Sequence, residues 1–251
     1  MSKLFKMVLA VLLAFSLGAP TAFAHQDNGH GKDSLVALGD SIPFGYNLGT
    51  NNNNPAKTAF PFLIGDKADL RVRNLGVPGW QTADLLAALE TDKKFRQAVR
   101  HADYVTLTIG SNDFLEILRA ANAESGGDPQ KFQQLLALKL ADSDVFDNIA
   151  EIVEEIYSLT DAHIVLYNIY NPFQVNDPLH QLSDRFLPQI NAAFAELATA
   201  YSDVELADAY SAFGDNQAKY VLPRDIHPTA AGQKVLAAIG LEAFCLDYAY
   251  H

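Results

Sequence analysis

The stretch VALGDSIPFGY, residues 36–46, decides how the rest of the chain is read. A short apolar run delivers Gly39-Asp40-Ser41, and the chain then breaks at Pro43 and Gly45. Apolar residues bounded by turn formers read as a buried strand ending in a sharp loop. In an open α/β sheet, such loops at the carboxyl ends of strands are where reactive side chains gather. Gly, Asp and Ser are also ordinary turn formers. Ser41 is therefore either a turn residue or a nucleophile, and the tripeptide alone leaves both open.

Outward from this stretch, apolar runs alternate with helical patterns. Strands are expected at Leu35 to Leu38, Leu70 to Leu75, residues 103–110 (DYVTLTIG), residues 162–170 (AHIVLYNIY) and Val204 to Ala207. Helical periodicity marks Ala59 to Leu70, with Pro61 in its first turn, and Thr82 to Leu89. It also marks Phe132 to Leu140, Val145 to Leu159, Leu182 to Tyr201 and Ala230 to Leu246. This βαβα alternation predicts one α/β domain, a three-layer α/β/α sandwich around a mainly parallel five-stranded sheet. Phe114 to Asp144 reads as an excursion after the third strand, a wall or lid over a site. The asparagine run Asn51 to Asn54 and the stretch ESGGDP at 124–129 read as loops by composition.

The ends of the chain and its charge narrow the function classes. Lys3 and Lys6, an apolar run from Met7 to Leu17 and Ala22-Phe23-Ala24 form the pattern of a secretory signal peptide over residues 1–24. The domain would then span residues 25–251, and the mature protein is expected to be secreted, without a stable membrane anchor. The formal net charge is −12 for the whole chain, and losing the two lysines makes the remainder more acidic still. Such a surface repels nucleic-acid phosphates, so no nucleic-acid partner is expected. Cys245 is the only cysteine, which excludes an internal disulfide and a cysteine-built metal site. Its apolar surroundings, GLEAFCLDY, suggest a buried, inert thiol.

Three strand ends share one grammar. The first ends in Gly39-Asp40-Ser41, the second in NLGVPGW (Asn74 to Trp80) and the third in GSND (Gly110 to Asp113), while DIHP places His227 just before the closing helix. A serine hydroxyl needs an adjacent imidazole to take its proton. The developing oxyanion needs donors fixed in advance, and the backbone N–H of Ser41, a glycine-rich loop and the amide of Asn112 are candidates. His227 needs an acceptor on its second nitrogen to hold its tautomer. Asp40 and Asp113 suit loop-holding and helix-capping better than proton transfer. Asn74 reads as a turn-closing residue. Trp80 and Phe114 either line a pocket or pack in the core. His101, His163 and His180 have no ligand spacing, and no phosphate loop or dinucleotide fingerprint is present.

The four blocks, in this order, resemble the GDSL or SGNH hydrolase family of esterases, lipases and thioesterases. The resemblance covers residues 39 to 228. It implies a flavodoxin-like sheet and an ester hydrolase working through an acyl-enzyme, with neither metal nor cofactor. It implies Ser41 as nucleophile, His227 as general base, and an oxyanion hole of Ser41, Gly79 (five residues after Asn74) and Asn112. One departure stands out. The family's acid lies three residues before the histidine, where this chain has Arg224, whereas Asp225 lies two before. Either the loop bends to bring Asp225 to the imidazole, or a backbone carbonyl does that work. The implied partner is a small-molecule or lipid ester. A carbohydrate O-acetylesterase, or a non-catalytic extracellular binding domain on the same fold, are the alternative readings.

Overall fold

The five expected strands all form, as β1 (Ser34–Gly39), β2 (Arg71–Asn74), β3 (Tyr104–Thr108), β4 (His163–Tyr167) and β5 (Val204–Ala207). They come from a computed structural model that describes residues 31–246; the expected signal segment lies outside the described residues. Every pairing is parallel, in the order β2-β1-β3-β4-β5. The helices are α1 (Ser41–Phe44), α2 (Phe60–Ala68), α3 (Thr82–Thr91), α4 (Lys93–Arg100), α5 (Ser111–Ser125), α6 (Pro129–Ala141), α7 (Val145–Leu159) and α8 (Pro178–Thr199), followed by α9 (Ala209–Phe213), α10 (Gln217–Tyr220) and α11 (Ala230–Ala243).

Alternation along the strands divides the apolar residues between two cores. Val36, Leu38, Val105, Leu107, Ile164 and Leu166 face α3, α4, α7 and α8. Leu35, Val165, Tyr167 and Ala207 face α2, α9 and α11. Strands buried on both faces read as continuous apolar runs, which is why they were legible. The three-layer α/β/α sandwich with a five-stranded, flavodoxin-like sheet is thus the observed fold.

Helix boundaries follow local chemistry. Pro61 sits in the first turn of α2, where its missing N–H costs nothing, and Asp69 ends that helix in the left-handed region at φ 56°. The excursion after β3 is a helical hairpin, α5 and α6, joined by Gly126 and Gly127, both with positive φ. Helix α4 was missed, although Phe95, Ala98 and Val99 are buried at helical spacing and Asp92 caps it through the Lys94 N–H. Cys245 departs from expectation. It follows the end of α11 at φ 53°, in the left-handed geometry that closes a helix, and this turns its thiol outward to solvent.

The strand order reverses direction between β1 and β3, so the crevice outside their carboxyl ends is the place for a site. Gly39 makes that crossing possible. It has φ +140°, and a Cβ there would lie 2.0 Å from the Thr108 carbonyl oxygen of the neighbouring strand.

Candidate active site

Ser41 opens α1 directly behind β1. Asp40 caps this single turn, its carboxylate accepting from the Ile42 N–H at 2.8 Å, while its own N–H donates to Thr108 O at 3.2 Å. Serine and its cap are therefore pinned between two strands. Asp40 is 1% exposed, and burial lifts its pKa to about 7, with the negative charge of Asp113 adding to the rise. The hydrogen bond from Ile42 works against that rise.

His227 reaches this position from 186 residues away in sequence. Its Nε2 lies 3.0 Å from Ser41 Oγ, and its Nδ1 lies 2.6 Å from Asp225 Oδ1. The misplaced acid is explained by the turn that presents it. Asp225 N–H donates to Leu222 O at 3.2 Å, with Pro223 in the second position and Arg224 in the third at φ 60°. That geometry is a turn with a left-handed third residue, usually given to glycine. Leu222 N–H then donates to His227 O, and Val221 bridges Pro228, closing a small loop around the dyad. The loop bends enough to bring Asp225 to the imidazole, and among the described residues no ion pair joins it to Arg224.

Asp225 is held on both oxygens. Oδ1 also accepts from the Ile226 N–H at 2.6 Å and the His227 N–H at 3.3 Å, and Oδ2 accepts from Asn47 Nδ2 at 2.8 Å. Burial tends to raise its pKa, but the bonds from Asn47, His227 and Ile226 together outweigh it and leave the carboxyl below the ordinary value. Tyr170, unnoticed in the sequence, supports the same loop by donating to Ile226 O at 2.6 Å. Burial, aided by the charges of Asp40 and Asp225, pushes its phenol pKa well up, so it remains a donor.

The other two blocks converge from β2 and β3. VPGW forms a turn in which the Trp80 N–H donates to Val77 O at 3.2 Å, with Gly79 in the third position at φ +86°, close to the type II value. Asn74 closes the preceding turn, accepting from the Gly76 N–H and donating to Pro43 O, so this loop is tied to the serine turn. Asp113 accepts from the Thr82 N–H and hydroxyl, tying the third block to the start of α3. Asn112 donates one amide hydrogen to Trp80 O at 2.8 Å, which orients the side chain and leaves its second hydrogen free of that bond.

An apolar slot runs from Asp40, Ser41 and Asn112 into the space between the α5–α6 hairpin and α8. Phe114, Leu115, Leu118 and Leu136 form one wall, and Phe186 and Ile190 belong to the other. Phe114 thus lines the pocket. Trp80 does not, stacking instead on Phe95 at 5.2 Å against the core. The α8 wall went unread because its apolar spacing is equally that of a core-facing helix.

The sequence matches the GDSL-like lipase/acylhydrolase family over residues 37–235. The chain belongs to that family. It is 32% identical over 155 residues to the uncharacterized protein YpmR of Bacillus subtilis (strain 168), covering 60% of this chain and 56% of that relative's length. Among solved structures, a lipase from a goat rumen metagenome is similar, with a TM-score of 0.66 at 23% identity over 84% of this chain and 97% of that one. Phospholipase A1 from Streptomyces albidoflavus gives 0.69 at 17% identity, over 85% and 100% of the two chains. A catalytic mutant of an acetylxylan esterase from Geobacillus stearothermophilus gives 0.60 at 18% identity, over 87% and 97%. At these identities the likeness is one of fold. It takes in a lipase, a phospholipase and an acetylxylan esterase alike.

Proposed function

We propose that this protein is an exported serine hydrolase that cleaves carboxylic esters of apolar acyl chains through an acyl-enzyme on Ser41. The observation that carries the reading is the chain of contacts from Asp225 through His227 to Ser41, at 2.6 and 3.0 Å, opening onto the apolar slot.

In this mechanism Nδ1–H of His227 donates to Asp225, which leaves Nε2 as the acceptor for the Ser41 hydroxyl proton. Ser41 Oγ attacks the ester carbonyl as that proton moves to Nε2. The oxyanion receives hydrogen bonds from the backbone N–H of Ser41, that of Gly79 and the second amide hydrogen of Asn112. Collapse expels the alcohol, which takes the proton from the imidazolium. Water, deprotonated by the same nitrogen, then attacks the acyl-enzyme and releases the carboxylic acid.

The slot favours acyl chains over sugars because leucines, isoleucines and phenylalanines dominate its walls. Each methylene that enters should contribute about 0.8 kcal/mol, or roughly fourfold in kcat/KM. A panel of p-nitrophenyl esters from acetyl to palmitoyl, with acetylated xylan and a lysophospholipid alongside, tests this. A rise in kcat/KM from acetyl through medium chains supports the reading, and activity confined to acetylated xylan refutes it. Fluorophosphonate labelling separates an enzyme from a binding domain: wild type should label and turn over, and Ser41→Ala should do neither while remaining folded. The exported location is tested by finding the mature chain outside the producing cell with residues 1–24 removed.

A further inference from the structure

We propose that Asn47, clamped by Asn52, is a positioning residue that fixes the outer oxygen of Asp225 and thereby keeps the His227 imidazole aligned with Ser41. The inference rests on the triad reading of Ser41, His227 and Asp225.

The two oxygens of Asp225 are held differently. Oδ1 faces His227 and two backbone N–H groups of its own loop, whereas Oδ2 is met by Asn47 Nδ2 at 2.8 Å, from a residue 178 positions earlier. The Asp225 side chain keeps 21% of its surface exposed, so without Asn47 water would compete for Oδ2 and the carboxylate would be free to rotate. Rotation would break the 2.6 Å contact to Nδ1, which sets both the tautomer and the plane of the ring.

Asn47 is itself immobilised. It sits at φ 63°, a left-handed conformation that asparagine tolerates. Its N–H donates to Asn52 Oδ1, and its Oδ1 accepts from Asn52 Nδ2, both at 2.9 Å. This reciprocal pair settles the amide orientation, because the Asn47 oxygen is engaged by Asn52 and only the NH₂ group can meet a carboxylate. Tyr46, the preceding residue, packs its ring on His227 at 4.9 Å between centroids. The segment after α1 therefore touches the base with one residue and the acid with the next. The asparagine run, a loop by composition alone, supplies the clamp.

The test compares Asn47→Gly, Asn47→Asp and Asn52→Ala. Turnover is expressed per active site titrated with a fluorophosphonate, and Tm is measured in parallel. Glycine accepts the left-handed φ, so Asn47→Gly removes the amide without straining the backbone. Its kcat per titrated site should fall about ten- to a hundredfold with KM within about threefold, the scale of a misaligned catalytic group. Asn52→Ala should cost less, about three- to tenfold, because it loosens the clamp and spares the donor. Asn47→Asp keeps the shape but sets a second carboxylate against Asp225, so it should lose more than Asn47→Gly at pH 8. That deficit, relative to wild type at the same pH, should narrow towards pH 6 as the two carboxylates share a proton. A merely structural loop would instead lower Tm and the number of titratable sites, with turnover per site unchanged. Asn47→Gly and Asn47→Asp within about twofold of wild type per site would overturn the proposal while leaving the triad intact. A wild-type protein that fails to label would remove the triad itself.

Discussion

The proposed mechanism divides the work among single residues, and each division has a measurable consequence. Asn112 spends one amide hydrogen on Trp80 O, which fixes the amide and leaves one hydrogen for the proposed oxyanion. Asn112→Ala should lower kcat about a hundred- to a thousandfold, with little change in KM, because the bond strengthens only as charge develops. Steady-state kinetics on one ester checks this, and a change confined to KM would assign Asn112 to substrate binding alone. Asp225→Asn faces donors on both sides, Ile226 N–H at one oxygen and Asn47 Nδ2 at the other. Its new NH₂ group must therefore meet either Asn47 or His227, and meeting His227 imposes the wrong tautomer. A loss on the order of ten-thousandfold is expected in kcat. A loss of about tenfold or less would show that another acceptor orients the imidazole.

At the scale of elements, the proposed function assigns the chemistry to loops of the sheet and the selectivity to the helical hairpin. Loops after β1, β2 and β3 carry Ser41, Gly79 and Asn112, while α5 and α6 contribute only slot residues such as Leu118 and Leu136. Chemistry and chain-length preference should therefore separate under mutation. Leu118→Trp takes room from the slot without touching the triad. It should reduce kcat/KM for a decanoyl ester by about tenfold, the worth of one to two buried methylenes. The acetyl ester should change by no more than about threefold, since it does not reach that depth. Equal losses on both esters would mean that the hairpin supports the catalytic loops rather than the acyl chain.

At the scale of the whole molecule, Asp40 couples the site to stability. Its folded pKa of about 7 is raised above the ordinary 3.8, so between these values the folded state holds a proton that the unfolded state has released. Stability from this group is therefore fullest at low pH and is lost as pH rises towards 7, by up to about 1.4 kcal/mol per pH unit. Asn at this position keeps an oxygen for the Ile42 N–H and does not ionise. Urea unfolding from pH 5 to 8 should thus show wild type losing stability relative to Asp40→Asn up to about pH 7, then running parallel. Parallel curves throughout would mean that Asp40 is ionised in the fold across this range.

The sequence by itself determined the sheet and the four blocks that carry the candidate site residues. Strands buried on both faces must be written as continuous apolar runs, and a loop such as VPGW needs proline and glycine at fixed positions whatever surrounds it. Local rules of this kind left β1 to β5 in plain view, whereas Ser41, Asn112 and His227 stood out only together, through the resemblance of the four blocks to a known family. Asp225 was half legible: its nearness to His227 was visible, but the left-handed turn at Arg224 that brings it to Nδ1 was not. What only the tertiary structure decided were contacts between segments with no local signature. Leu118 and Phe186 have the spacing of core residues, and only the placement of the α5–α6 hairpin against α8 turns them into slot walls. Tyr170 and Asn47 meet Ile226 and Asp225 from 56 and 178 positions away in sequence. A hydrogen bond between such distant residues leaves no periodicity in either segment, because it is made by the packing of the fold and not by the local chain.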